Sequence, residues 1–301
     1  MTSSTAESRL RRAWSGGARK RSTARRDARR LSFTLARALV VVAFCGFAIF
    51  PLYWALVNAL QTQAERYRYP PELFPVHPTL EAFRSVWGST GIGQWLTNTL
   101  IVASLTAVLT LAMAISGAYA ISRWRTRGTS LAAFLTLATQ MIPPVVLMLP
   151  LFKVFVSLHL VNSLSGLVVA DLFWALPVAI WILKSVFDAV PVEIEDAARV
   201  DGCNRLEVLL RITLPMTKFG ILAAGIFAFI TAWEEFLLTR ILVTSQSTWV
   251  GSIGIASFFG ELGTNWPGVM AASFMFAIPP IVLFMFVQRH FVEGFAGGVK
   301  G

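Results

Sequence analysis

The residues most suited to binding chemistry lie in one polar segment, from Pro191 to Pro215. This segment separates apolar segments that are long enough to cross a membrane. Its acidic residues, such as Glu195 and Asp196, fall at the start of a predicted helix, where the helix dipole favours negative charge. Gly202 can adopt the left-handed conformation that ends a helix, and a second helix is predicted after it. Acidic side chains on a projecting helix can form ion pairs, so the segment predicts a docking element for a partner protein.

Signatures of enzyme chemistry are not evident in the sequence. It contains no G-x-x-x-x-G-K-[ST] phosphate-binding loop, so we expect that the chain does not hydrolyse ATP itself. The histidines (His77, His159 and His290) and the cysteines (Cys45 and Cys203) are dispersed, so we expect neither a metal site nor a disulfide. No pair of a nucleophile and a base stands out. The sequence therefore predicts no catalytic residues and a protein that is not an enzyme.

Composition indicates a membrane protein. Hydrophobic residues make up 55% of the 301 residues and charged residues only 14%, against about 25% in soluble proteins. Runs without charge, such as Ser85 to Ser122 and Leu262 to Gln288, exceed the roughly 20 apolar residues that a helix needs to cross the hydrocarbon. We therefore predict an all-α membrane protein with six transmembrane helices, at about residues 35–60, 97–121, 130–155, 163–187, 216–243 and 267–289.

The distribution of basic residues predicts the orientation of these spans. Residues 1–37 hold eleven of the 26 Lys and Arg, whereas the predicted outer loops contain only Arg66, Arg68 and Arg84. Because cytoplasmic segments are enriched in Lys and Arg, both termini and the polar loop 188–215 are expected in the cytoplasm. We expect residues 1–34 to be a basic, disordered tail that sets this orientation near membrane lipid, rather than a nucleic-acid-binding arm.

The polar segment resembles the EAA loop of permease subunits of ATP-binding-cassette (ABC) importers, whose pattern runs E-A-A-x-x-D-G and later I-x-L-P. The pattern is matched by Asp196–Gly202 and by Ile212–Pro215. Asp196 replaces the motif glutamate, although Glu195 stands beside it, and Phe219 replaces a proline that often follows. We call residues 188–215 the EAA-like loop.

Further segments resemble the carbohydrate-uptake branch of these permeases, and specifically members similar to the G subunit of the maltose permease. These segments are Phe74–Glu81, Trp95–Ala103, Leu158–Gly166, Trp233–Leu237, Gln288-Arg289 and Gly294–Gly301. In the fourth of them, Glu234 replaces the usual asparagine of a W-N-E-F-L pattern. Their order along the chain agrees with that of the family and covers most of residues 50–301.

The resemblance implies a type I ABC importer permease fold with a cytoplasmic coupling helix, in a bacterial cytoplasmic (inner) membrane. The permease domain would span residues 35–293, followed by a cytoplasmic tail of residues 294–301. The implied partners are a second permease subunit that completes a heterodimer, an ABC ATPase dimer and an extracytoplasmic solute-binding protein. ATP and Mg²⁺ are used by the ATPase, and this chain binds no cofactor. The implied function is import of a sugar by alternating access.

The resemblance also implies roles for particular residues. Those assigned to ATPase coupling are Glu195, Asp196, Ala197, Ala198, Asp201, Gly202, Leu214 and Pro215 in the loop, with Gly297, Gly298 and Lys300 of the C-terminal tail reaching the ATPase dimer. Glu195 and Asp196 are expected to pair with basic groups of the ATPase. The spacing of Leu206, Leu209 and Leu210 predicts one helical face that is buried against the permease body.

Charged and aromatic residues within the predicted spans are candidates for a translocation cavity, since ionisable groups in membranes usually face protein or water. They are Asp171, Trp174, Trp233, Glu234 and Glu235. The alternatives are contacts with the partner permease or buried ion pairs for the acids, and packing for the tryptophans. The prolines of Met141–Pro144 and Pro279–Pro280 predict hinges, breaks that line a cavity, or packing kinks.

Two other functions stay open at this point. The same machinery could carry a glycerol-phosphate-type or another polar solute, because glycerol-phosphate systems share this branch of permeases. An ATP-independent channel or carrier would need no ATPase, and it would leave the EAA-like loop without a purpose.

Overall fold

The computed structural model describes residues 33–297, except residues 67, 125, 261 and 262. It leaves out the side chains of Gln63 and of residues 289–297. Most of the predicted basic tail lies outside the described residues, as do Gly298 and Lys300, while Gly297 is the last residue of a helix. The predicted domain boundaries at residues 34 and 293 therefore stay predictions. The chain divides into two compact units, residues 1–57 and 58–301.

One apolar helix, α1 (Phe33–Leu60), accounts for the described part of the first unit and extends into the first residues of the second. Its 28 residues extend about 42 Å at about 1.5 Å per residue. That length exceeds the roughly 30 Å of a hydrocarbon core, so α1 is long enough for the first predicted span.

The described part of the second unit is helical apart from one small antiparallel hairpin, in which Phe259 pairs with Thr264. Its first elements are α2 (Gln63–Arg66), α3 (Glu81–Ser89), α4 (Ile92–Arg123), α5 (Arg127–Gln140), α6 (Pro144–Ser157) and α7 (Leu164–Asp188). Next come α8 (Val192–Val200), α9 (Arg205–Val208), a π-helical turn (Leu209–Thr213), α10 (Leu214–Met216) and α11 (Lys218–Glu234). The last are α12 (Leu237–Leu242), a 3₁₀ turn (Gln246–Thr248), α13 (Gly251–Ala256), β1 (Phe259–Gly260), β2 (Gly263–Thr264) and α14 (Trp266–Gly297).

Among the described residues, four helices are long and apolar enough to cross a membrane: α1, α4, α7 and the stretch Trp266–Gln288 of α14. Two bent helix pairs raise the number to as many as six if each pair forms one span. This count accommodates the six predicted spans.

The third predicted span is not one straight helix. Helices α5 and α6 meet at 105°, and Pro143 between them has an extended ψ of 130°. Proline has no N–H to donate and disfavours a helical residue before it, so the pair Pro143-Pro144 separates the two helices. The helix is thus interrupted at Met141–Pro144, and a hinge or a cavity at this break stays a prediction, whereas α14 continues through Pro279 and Pro280.

The fifth predicted span, residues 216–243, is also interrupted. The helix Arg205–Met216 and helix α11 meet at 83°. Helix α11 then ends at Glu234, and Glu235 is extended with a ψ of 128° before α12 begins. The charged residues Glu234 and Glu235 therefore lie at a helix break rather than inside a continuous helix.

Helices α4, α7 and α11 form the core of the second unit through small residues. Four fully buried alanines that cluster in this core are Ala114, Ala118, Ala179 and Ala224. A Cβ at Gly220 would lie 2.5 Å from Cγ2 of Val186, so the backbone of α11 approaches α7 closely. Small residues permit such close packing of helices in a membrane, where apolar side chains gain little from leaving lipid. The core fixes the ends of α4 and α7 beside the EAA-like loop.

The opposite end of α4 is tied to the segment Thr244–Gly251. The Nδ2 of Asn98 donates a hydrogen bond to the carbonyl oxygen of Ser247 at 3.0 Å. The backbone nitrogen of Gly251 donates to Oγ1 of Thr99 at 2.8 Å. Helix α4 therefore connects this segment with the EAA-like loop at its other end.

We expect Gly254→Ala to lower the free energy of unfolding by about 1–3 kcal/mol, the usual result of overpacking a core. A Cβ at Gly254 would lie 2.0 Å from Cε3 of Trp95, which is itself buried. Thermal unfolding of the purified protein in detergent measures the change. Gly88→Ala is the control, because a Cβ at Gly88 meets nothing within 4 Å. Equal unfolding midpoints for the two variants would contradict this packing.

Candidate functional site

Helix α8 forms the first half of the EAA-like loop, and its end follows the sequence prediction. Glu193 and Glu195 lie in its first turn, where the helix dipole favours negative charge. Gly202 has a φ of +93°, so the predicted left-handed conformation is confirmed. The backbone nitrogen of Cys203 donates to the carbonyl oxygen of Ala198 at 3.0 Å and closes the last turn.

The second half of the EAA-like loop is a helix with a wider, π-helical turn just before Pro215. Asn204 caps α9, because its Oδ1 accepts hydrogen bonds from the backbone nitrogens of Leu206 and Glu207 at 3.0 Å each. The helix continues through the π-helical turn and α10 as far as Met216. Pro215 has no N–H to donate to the preceding turn, and the widened turn accommodates it.

The predicted buried face of this second helix is wrong. Leu206 and Leu210 are 62% and 53% exposed and Leu209 is half-buried, whereas Val208 and Thr213 are buried. The prediction assumed a regular helix of 3.6 residues per turn throughout, whereas the structure has a π-helical turn from Leu209 to Thr213. In α9, before that turn, Val208 rather than Leu206 faces inward. Leu214 is half-buried beside the α4–α7–α11 core, and Pro215 is exposed.

Glu195 lies at the centre of a buried hydrogen-bond network. Its carboxylate accepts hydrogen bonds from Nε of Arg123 at 3.0 Å and from Nη2 of Arg123 at 2.8 Å. It also accepts from Oγ1 of Thr213 at 2.8 Å and from the hydroxyl of Tyr119 at 3.1 Å. The residue is only 5% exposed. The expectation that Glu195 pairs with a basic group of the ATPase is therefore wrong, because its carboxylate is already occupied inside the chain.

Arg123 joins three parts of the structure. It is the last residue of α4, and its guanidinium binds Glu195 of α8. Its Nη2 also donates to the carbonyl oxygens of Phe187, at 2.9 Å, and Val190, at 3.2 Å, where α7 ends. The planar guanidinium supplies several donors in a fixed geometry, so one side chain holds α8 against the ends of α4 and α7.

The environment of Glu195 keeps its carboxyl group charged. Burial alone would raise its pKa, because a charged group loses solvation there. The hydrogen bonds from Arg123, Thr213 and Tyr119 and the positive charge of Arg123 outweigh burial, and they hold the pKa of Glu195 below its usual value. The ion pair is therefore intact at neutral pH.

The rest of α8 faces outward. Among its nine residues, all of which the structure describes, Glu195 alone is buried. Asp196 and Ala197 are exposed and Ala198 is half-buried. Asp196 contacts Arg199 at 3.0 Å, and both side chains are more than half exposed, so this pair is weak and open to exchange. Helix α8 thus exposes small and acidic residues together with the apolar side chains of Val192, Ile194 and Val200.

Arg123, Tyr119 and Thr213 are functional candidates that sequence reasoning missed. A signal for Arg123 was present, because it is the first charged residue after the charge-free run Ser85 to Ser122. That position places a charge at the end of a span on the same side of the membrane as the EAA-like loop. Nothing in the sequence indicated that Glu195 is the partner of Arg123.

The candidates for a translocation cavity fall into separate environments. Trp233 is buried, with its ring centroid 5.5 Å from that of Phe229 and 4.8 Å from that of Phe276. It packs in the core, which is the alternative left open for the tryptophans. Trp174 is half-buried and packs edge-on against Phe173, with ring centroids 4.9 Å apart.

The acidic candidates differ in exposure. Asp171 is buried in α7 at 2% exposure, whereas Glu234 is exposed at the end of α11. The carboxylate of Glu235 accepts hydrogen bonds from the backbone nitrogens of Leu238 and Thr239, both at 2.9 Å. Glu235 therefore caps α12, and Glu234 is the acid of this group that remains available to a partner or to solvent.

Comparison with known proteins identifies the family. Residues 111–296, more than half of the chain, match the family described as "Binding-protein-dependent transport system inner membrane component". The chain belongs to this family. The permease is thus a membrane component of a transport system rather than an enzyme, and the system depends on a solute-binding protein.

Curated relatives are permeases of comparable length. The permease is 34% identical to the sulfoquinovosyl glycerol transport system permease protein SmoH of Agrobacterium fabrum, over 84% of the chain and 89% of the relative. It is 33% identical to the diacetylchitobiose uptake system permease protein DasC of Streptomyces coelicolor, over 87% and 95%. It is 31% identical to the trehalose/maltose transport system permease protein MalG of Thermococcus litoralis, over 89% and 98%.

A solved structure shares the fold. It is a bacterial ABC transporter involved in the import of the acidic polysaccharide alginate, with a TM-score of 0.75 and 22% identity. The match covers 86% of this chain and 96% of that chain. The predicted ABC importer permease fold is confirmed. Membership of this family implies that the permease, a multi-pass membrane protein, works with an ATPase as well as with a solute-binding protein.

We expect Glu195→Gln to lower the thermal midpoint of the purified permease at pH 7, because Arg123 then lacks its carboxylate in a buried site. The difference from the unchanged protein should shrink on acidification. A carboxyl group whose pKa is lowered by folding contributes stability above its unfolded pKa of about 4.3, and this stability is lost as the pH falls through the folded pKa.

Thermal unfolding of both proteins from neutral pH to about pH 3 measures this difference across the titration. Asp196→Asn is the control, because its exposed pair with Arg199 should contribute little at any pH. A difference between Glu195→Gln and the unchanged protein that stays constant over the whole range would contradict the role given to the Glu195 charge.

Proposed function

We propose that the permease moves a sugar, either a mono-, di- or oligosaccharide, into the cytoplasm by alternating access driven by an ATPase. The proposal for the cargo is supported by relatives named for diacetylchitobiose and for trehalose and maltose. The relative named for sulfoquinovosyl glycerol extends the class of cargo to a sugar joined to glycerol. A glycerol-phosphate-type or other polar solute is the second candidate.

The observation that carries the proposed mechanism is the exposure of α8. A helix held by one buried side chain, with Asp196 and Ala197 exposed, is suited to enter a groove on another protein. The small side chains of Ala197 and Ala198 permit close approach, and Asp196 can exchange Arg199 for a basic group of the ATPase. Asp201 and Gly202 set the bend that follows, and Leu214 and Pro215 lead back into the membrane.

The remaining parts of the coupling follow the same proposal. The EAA-like loop and both termini lie in the cytoplasm, in keeping with the distribution of Lys and Arg. The proposal gives Gly297, Gly298 and Lys300 of the C-terminal tail a part in coupling to the ATPase dimer. The ATPase binds ATP and Mg²⁺, so this chain needs no cofactor of its own.

A second permease subunit would complete a heterodimer around the translocation pathway. Lys153 of α6, Glu234 of α11 and Arg240 of α12 are exposed although they lie in or beside predicted spans. Charged groups at membrane depth face protein or water rather than lipid. We assign these three exposed charged residues to contacts with the second subunit or to a water-filled cavity between the two chains, with Glu234 facing that cavity.

Removal of the cognate ATPase should abolish uptake of the transported carbohydrate in cells that retain this permease, its partner permease and the binding protein. Uptake of a radiolabelled carbohydrate measures the effect, and restoring the ATPase gene is the control. Undiminished uptake without the ATPase would favour an ATP-independent carrier and refute the proposal.

A bulky residue on α8 should weaken attachment of the ATPase. We expect Ala197→Trp to reduce the amount of ATPase recovered with the purified permease about tenfold, because steric overpacking of about 1–3 kcal/mol corresponds to a change of this order in affinity. Ser165→Trp is the control, since Ser165 is exposed near the start of α7, at the end remote from the loop. Equal recovery of ATPase with both variants would exclude α8 as the docking helix.

A further inference from the structure

Helix α8 is attached to the rest of the chain at few points, so a force applied to it can be transmitted only through these. Every residue of this helix is described, and only Glu195 is buried, whereas Val200 at its far end is 87% exposed. Helix α8 is joined to α7 by a short turn and to α9 by the left-handed corner at Gly202. The side chain of Glu195 is therefore the main lateral attachment of the helix.

The attachment leads directly to α4. The Glu195 carboxylate and the Arg123 guanidinium share three hydrogen bonds of 2.8–3.0 Å, and Arg123 is the last residue of α4. Helix α4 has 32 residues and extends about 48 Å at about 1.5 Å per residue. At its other end, Asn98 and Thr99 hold the segment Thr244–Gly251. One helix thus connects α8 with a segment on the opposite side of the permease.

We propose that Arg123 is a positioning residue that fixes α8 to α4 and to the end of α7, so that movement of α8 is passed along α4 to the segment Thr244–Gly251. The inference rests on the proposed function, because it takes the ATPase as the source of that movement. Arg123 acts through Glu195 and through the carbonyl oxygens at the end of α7.

The chemistry of the pair suits this task. An arginine fork can bind a carboxylate and nearby carbonyl oxygens at the same time, which a lysine ammonium cannot do with the same geometry. Arg123 and Glu195 have side-chain exposures of 10% and 6%, so solvent cannot easily replace either partner. The exposed pair Asp196–Arg199 lies within α8 and provides no attachment to the body.

The test uses the whole importer: this permease with its partner permease, ATPase and solute-binding protein, reconstituted in proteoliposomes. ATP hydrolysis stimulated by loaded binding protein and uptake of solute are measured together, giving the ATP hydrolysed per solute imported. For Arg123→Gln we expect the ATPase to remain bound, because the outer face of α8 is unchanged. The ratio should rise about tenfold, a usual size for coupling between two sites.

Two further variants separate positioning from simple destabilisation. Arg123→Lys keeps the charge but not the fork, and we expect an intermediate ratio. Arg123→Gln combined with Glu195→Gln removes the uncompensated buried charge, so thermal stability should recover while the ratio stays raised. Arg68→Gln is the matched control, because it removes an arginine from the exposed pair with Glu72, and its ratio should be unchanged.

The proposal is overturned if Arg123→Gln keeps the unchanged ratio, or if the double variant restores both stability and the ratio. Should Arg123→Gln fail to assemble, Arg123→Lys decides: a raised ratio supports the proposal and an unchanged ratio overturns it. If the unmodified permease is purified without any ATPase, or if the unmodified importer takes up solute without ATP, the proposed function itself is refuted. That outcome is distinct from a coupled importer in which Arg123 makes no difference.

Discussion

The buried ion pair between Arg123 and Glu195 is the constraint on which the arrangement of the EAA-like loop depends. Two charges removed from water are stable only when their remaining hydrogen-bonding capacity is filled, and Thr213, Tyr119 and the carbonyl oxygens at the end of α7 do this. This need for filled hydrogen bonds constrains the positions of several elements besides Arg123 and Glu195. The end of α4, the end of α7, helix α8 and the π-helical turn must all be in place at once for the network to be complete.

Membrane packing explains why this network can be held at a defined position. Helices in lipid gain little from burying apolar side chains, so α4, α7 and α11 rely on close contact through small residues such as Ala114 and Ala179. Proline breaks then redirect the chain where a straight helix cannot continue, as at Pro143. The rigid part of the permease is therefore the alanine-rich core, and the loops and broken helices are arranged around it.

Local rules allowed much of the fold to be predicted from the sequence. Apolar length gave the spans, and the conformational freedom of Gly202 gave the end of α8. The inward turn of Glu195 could not be predicted in this way. Adjacent residues point about 100° apart on a helix, so Glu195 and Asp196 cannot both face the same partner, and the pattern does not say which one is buried. The answer depends on Arg123, 72 residues away. The spacing of the leucines likewise did not show that Val208 and Thr213, rather than Leu206 and Leu210, are buried.

The length and packing of α4 have a consequence for how its two ends communicate. Coupling between binding events is reciprocal. If docking of a partner on α8 changes the affinity of the segment Thr244–Gly251 for another protein by some factor, binding of that protein must change the affinity of α8 for the first partner by the same factor. A flexible connection would let either end move alone. Helix α4 is one continuous helix of 32 residues, and Ala114 and Ala118 between its two ends are fully buried in the core. The close packing that holds α4 in the membrane is therefore also what would make it an effective connection between the two faces.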